Sequence, residues 1–227
     1  MKKKIKFLFE LIRSSRMVLS FNVKKIKILL TNNPYILSRT ACLGNDIQAS
    51  VFKAGIIKFN FQKSRVDHLV ANTESKIPLL NALEQIIRKD LWPLIYFQSQ
   101  SFFAFKKKPE CIVLDSYSEL TDQKFTTFEK NNFFFANYSD VNLKLTNNKF
   151  HSEGLIDLDG LNVFYRKLFE RLTKKYGKET PIFFIHFQTE LDPREKFKAR
   201  SEYILKVIEQ VVTEGKFNLY SISINNS

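Results

Sequence analysis

The sequence predicts an α/β fold: a three-layer, flavodoxin-like sandwich around a mainly parallel five-stranded sheet. Three observations carry that prediction. Short continuous apolar runs such as ECIVLD (110–115) and PIFFIHF (181–187) have the make-up of strands buried on both faces. These runs alternate with long segments of helical period, and strands joined through helices of that length imply crossover units and a covered parallel sheet. Glycine and proline, at 6 each, are too scarce for a loop-rich or all-β design. With 227 residues, 44% of them apolar and 23 of them phenylalanine, the chain can bury a full core.

The elements follow in order. Residues 1–22 read as a basic amphipathic N-terminal helix, and 23–227 as a single α/β domain without internal repeats or a linker. In MKKKIKFLFELIRSSRMVLSF the apolar patch is interrupted by Glu10, Arg13 and Arg16. It lacks a small-residue cleavage site and is too short and charged to span a bilayer. As a helix it sets Ile5, Leu8, Ile12 and Leu19 near one face, which fits either a membrane-surface helix or one packed on the domain's own core. VKKIKILL (23–30) is β-rich and ends at the turn cluster TNNP, so it reads as the first strand. FKAGIIKFNF (52–61) reads as the second. SKIPLLNALEQIIRKDL (75–91) has Leu79, Leu80, Leu83, Ile86 and Ile87 at helical spacing.

ECIVLD is the third strand. LDGLNVFYRKLFERLTKKYG (158–177) is a helix capped by Asp159, striped by Leu161, Phe164, Leu168 and Leu172, and closed by Gly177. PIFFIHF is the fourth strand, REKFKARSEYILKVIEQVVTEG (194–215) a second long helix, and FNLYSISI (217–224) the last strand.

Ligands of such sheets bind beyond the carboxyl ends of the strands, where strand order reverses. The usual order makes the first, third and fourth strands neighbours, with ends TNNP, LDSYSE and IHFQTELD. His186 is there either a general base or a satisfied structural residue. Asp192, before Pro193, is either a helix cap or the acid that orients such a base. Asp115 and Ser116 close the third strand as site residues or as turn formers. Asn32 and Asn33 offer amide donors or an Asx-turn. Ser38 and Cys42, one helical turn apart, are candidate nucleophiles.

No cofactor-binding pattern stands out: there is no P-loop, Rossmann glycine pattern, HExxH or CxxC pair. His68, His151 and His186 lack metal-ligand spacing, so no metal is expected. Two cysteines, Cys42 and Cys111, fit a reducing compartment. The net charge of +13 suits nucleic acid, an anionic membrane or a phosphate-rich substrate, and equally the residue usage of an AT-rich genome. Aromatics beside lysines in SQSFFAFKKKP (99–109) fit either base stacking or a helix-to-strand connection.

SRTACLGND (38–46), FNFQKSRVDHL (59–69), RKDLWPLIYF with PECIVLDSYSEL, and FIHFQTELDPREKF (184–197) give a layout that resembles the SGNH/GDSL hydrolase superfamily. The likeness spans residues 23–224 and is to the divergent SGNH-like proteins of bacterial capsule and surface-polysaccharide clusters. It implies acyl-ester hydrolysis or O-acyl transfer on a glycan or sugar, by a cytoplasmic protein or one peripheral at the inner face of the membrane through residues 1–20. Thr31, Asn32 and Asn33 replace the family's Gly-Asp-Ser, so the nucleophile would be Ser38. His186 would then be the base assisted by Asp192, with Asn32 or Asn33 at the oxyanion. Leu114, Asp115 and Ser116 stand in place of Gly-x-Asn-Asp. The terminal Asp-x-x-His is not found, so either the chain is a truncated form or the dyad is absent. A glycan-binding or scaffold protein without the machinery is the alternative, and a nucleic-acid binder a third.

Overall fold

The computed structural model describes residues 2–52, 55–71, 92–127, 133–137, 141, 150–187, 189 and 193–223, with the side chains of 2–15, 42 and 43 left aside. Its centre is a five-stranded, all-parallel sheet of order β2-β1-β3-β7-β8. The strands are β1 (Tyr35–Arg39), β2 (Ile57–Asn60), β3 (Cys111–Asp115), β7 (Ile182–Ile185) and β8 (Leu219–Ile222). The expected order is therefore present, with the reversal between β1 and β3. Helices α1 (Lys2–Leu30), α3 (Val66–Ala71), α4 (Trp92–Gln98), α6 (Leu161–Tyr176) and α7 (Glu195–Thr213) share one core with Leu37, Phe59, Leu114 and Phe184. On the other face, Ile47 of α2 (Cys42–Val51) packs on Ile36, Val113 and Ile185. Alternate residues of each strand thus enter opposite cores, as a doubly covered sheet requires.

The first strand differs from expectation. VKKIKILL is the last part of α1, which runs unbroken through residue 22. Phe21 and Ile28, seven positions apart, are both buried against the sheet, a helical repeat that outweighs the β-rich composition. TNNP ends the helix: the Thr31 amide and hydroxyl both donate to the Lys27 carbonyl at 2.9 and 2.7 Å. The strand begins only after Pro34.

Two further expectations shift. Asp159 does not cap α6; Gly160 holds that position without a side-chain bond, and the Asp159 amide itself donates to the Asp157 carboxylate at 3.2 Å. Residues 75–91 lie outside the described ones. A small antiparallel sheet of order β5-β4-β6 went unforeseen. It comprises β4 (Asp122–Thr127), β5 (Phe133–Asn137) and β6 (Phe150–Gly154), reached from β3 through α5 (Tyr117–Thr121), and its core is Phe125, Phe134 and Phe150 with Trp92 and Ile95.

Candidate functional site

The reversal point is occupied by side chains from the ends of β1 and β3. Directly after β1 stand Thr40 and Ala41, and α2 starts at Cys42. Asp115, the last residue of β3, accepts the Ala41 amide at 2.6 Å through one oxygen and the Tyr117 amide at 3.2 Å through the other. One carboxylate thereby joins the starts of α2 and α5. Burial pushes its pKa up to about 6, against the pull of the Arg39 guanidinium and the two amides.

Beneath it lies a buried ion pair. Arg39 donates to the Glu119 carboxylate, to the Ser64 carbonyl at 3.2 Å and to the Asp115 carbonyl. The exposures of Arg39 and Glu119 are 1% and 0%. Burial opposes the guanidinium charge, but Glu119 foremost overrides it and holds Arg39 above its ordinary value. Glu119 also accepts the Val66 amide at 2.8 Å, and the Arg200 guanidinium donates to its carbonyl at 2.7 Å. The Tyr165 hydroxyl is kept protonated by burial and by the neighbouring Glu119. Asp122, fully buried, accepts from Lys63 at 3.2 Å.

A neutral network holds the β1 turn. The Thr40 amide donates to the Asn60 side-chain carbonyl at 2.9 Å, and the Asn60 amide group returns a bond to the Thr40 carbonyl at 2.9 Å and one to Asn45 at 2.8 Å. Gln48 donates to the Thr40 hydroxyl and the Gly44 carbonyl, each at 3.0 Å. A Cβ on Gly44 would stand 2.5 Å from that of Thr40, so only glycine permits this approach.

The predicted residues divide between the two edges of the sheet. Asp115, Ser116 and His186 do meet at the carboxyl edge, where the Ser116 hydroxyl accepts the Phe187 amide at 3.2 Å. Asn32 and Asn33 lie in the turn before β1, at the amino edge, where the Asn33 carbonyl accepts from Lys107 at 2.7 Å. Because the strand begins after TNNP and not before it, the two amides are withdrawn from any oxyanion position. Ser38 sits inside β1, fully buried, its hydroxyl directed to the Phe59 carbonyl at 3.4 Å. It is level with Val113 and, through it, with Phe183. His186 is therefore two strands across, about 9.6 Å, and three residues, about 10 Å, farther along. Ser38 is not placed to pass a proton to it.

His186 instead shares a 2.9 Å bond between its Nε2 and the Ser221 hydroxyl, and burial pushes its pKa down to about 4. Asp192 lies outside the described residues. Cys111 is buried, its thiol pushed up to about 11 chiefly by that burial. Among the described residues no group of three or more His, Cys, Asp or Glu could hold a metal ion. Phe102 and Phe105 of the lysine-flanked segment are buried in the main core and closed to base stacking.

Glu119, like Ser118, was open to the same site or turn role as Asp115, but sequence reasoning missed Arg39 and its pairing with Glu119. Their signals were a basic residue ending a buried run, YILSR, and an acid four positions beyond Asp115. No family model matches the chain, and no match was found among curated proteins or solved structures.

Proposed function

We propose that the protein is a glycan-binding or scaffold protein of bacterial surface-polysaccharide biosynthesis, an SGNH-like fold working without a serine nucleophile. The observation that carries this reading is the β1 tip. Where that group keeps its nucleophile stand Thr40 and Ala41, and the Ala41 amide is taken by the Asp115 carboxylate. A carboxylate there repels an oxyanion, and a neutral His186 bound to Ser221 is separated from every predicted hydroxyl nucleophile. A sugar-binding role draws support from Tyr117 and Phe187, half-buried rings 5.1 Å apart beside Asp115 and Ser116. An aromatic face with polar groups at its rim is the ordinary chemistry for gripping a pyranose.

The test is calorimetric titration with capsule-type oligosaccharides alongside assays on acetylated sugars. Saturable binding that Tyr117→Ala weakens roughly tenfold, with acetate release at the buffer rate, is expected. Acetate release that His186→Gln abolishes would restore the acyl-ester hydrolase or acyltransferase reading.

A further inference from the structure

Helix α1 carries two apolar faces, and among the described residues only one is packed against the fold. Phe21 and Ile28 point into the core. Leu19, Val23, Ile26 and Leu30, spaced by four, three and four residues, share the opposite side. They are 63%, 42%, 53% and 79% exposed, among the most open large apolar side chains described. Arg16 and Lys27 flank them and are exposed as well.

The charge along the helix is just as lopsided. Lys2–Leu30 contains nine Lys or Arg and one acid, Glu10, so these 29 residues supply +8 of the chain's +13. Lys24 also stands near Lys58 of β2; its ammonium is pushed down, by burial first and by that like charge second.

We propose that α1 seats the protein on an anionic lipid surface, its stripe of Leu19, Val23, Ile26 and Leu30 entering the headgroup boundary while the lysines meet acidic headgroups. Among the described residues no helix is long and apolar enough to cross a membrane, so the contact lies along the surface. Charge decides between occupants. A second copy would bring two +8 helices together, and a nucleic acid would neutralise the lysines yet leave the stripe in water. An acidic bilayer satisfies both features. The inference is independent of the glycan reading, since it uses no residue of the β1–β3 edge.

The test is flotation of the full chain with vesicles of phosphatidylcholine alone and with about 30 mol% phosphatidylglycerol added. We expect roughly tenfold stronger partitioning onto the anionic vesicles, lost at high salt. Ile26→Asp and the pair Arg16→Gln with Lys27→Gln should each lower it roughly tenfold at unchanged Tm, whereas Val163→Asp, on an exposed site of α6, should not. Equal partitioning onto both vesicles, or full binding by either the stripe or the charge variant, overturns the proposal. So does a wild-type dimer that Ile26→Asp turns into a monomer without any vesicle binding, which would give the stripe to a second copy.

Discussion

The β1–β3 tip and the β7–β8 tip stand at the same edge of the same sheet, yet they handle burial in opposite ways. At β1–β3, full charges are kept inside: Arg39 is held by Glu119, Ser64 and the Asp115 carbonyl. At β7–β8, His186 gives up its charge and rests on one hydroxyl. A buried ion requires partners on every side, since each unpaired charge costs several kcal/mol. A group that titrates in an accessible range can become neutral and needs far less. The difference predicts where the molecule is brittle.

The largest effect should come from Glu119→Ala, which strands the Arg39 guanidinium. A loss of about 3–5 kcal/mol in urea unfolding is expected, and replacing both partners with apolar residues should recover much of it. A loss below about 1 kcal/mol would mean that water reaches the pair.

Next comes Asp115→Asn. The folded pKa of about 6 lies above the ordinary carboxyl value of 3.8, so the native state holds the proton more tightly. That contribution is complete below the lower value and disappears as pH rises through about 6, a swing of about 3 kcal/mol. The Asn variant should lose this falling limb in unfolding curves measured from pH 4 to 7; an unchanged limb would show that Asp115 is not its source.

His186 gives the opposite slope. Its pKa of about 4 is below 6.5, so its contribution is present above 6.5 and lost as pH falls towards 4. His186→Gln should remove a rising limb of about 3 kcal/mol over that window, and a pH profile identical to wild type would refute it. In the wild-type chain the two limbs oppose each other between pH 4 and 6, and each variant unmasks the other. Smallest is Ser221→Ala, which removes one neutral bond at about 1 kcal/mol; a cost approaching that of Glu119→Ala would erase the contrast between the tips.

The strands and helices that recur with a single clear period were legible in advance. ECIVLD, PIFFIHF and the two long helices fall within a few residues of β3, β7, α6 and α7, and with them the sheet order. VKKIKILL was not, because β-branched residues mask a helical repeat that only Phe21 and Ile28, seen against the sheet, reveal. That one shift carried Asn32 and Asn33 to the wrong edge and put Ser38 inside a strand. Asp115, Ser116 and His186 were recognisable because an acid, a hydroxyl and an imidazole leaving buried strands mark a carboxyl edge. The Arg39–Glu119 pair was not, since nothing local ties two residues 80 positions apart.

That same separation bears on how the polypeptide is made. Arg39 waits for a carboxylate 80 positions downstream, and Glu119 for a guanidinium 81 positions beyond itself. Vectorial synthesis therefore delivers β1 long before its counter-ion, and a nascent chain arrested ahead of Glu119 should leave that strand open to protease. The β1–β3 pairing can therefore be locked by its ion pair only after residue 119 has left the ribosome.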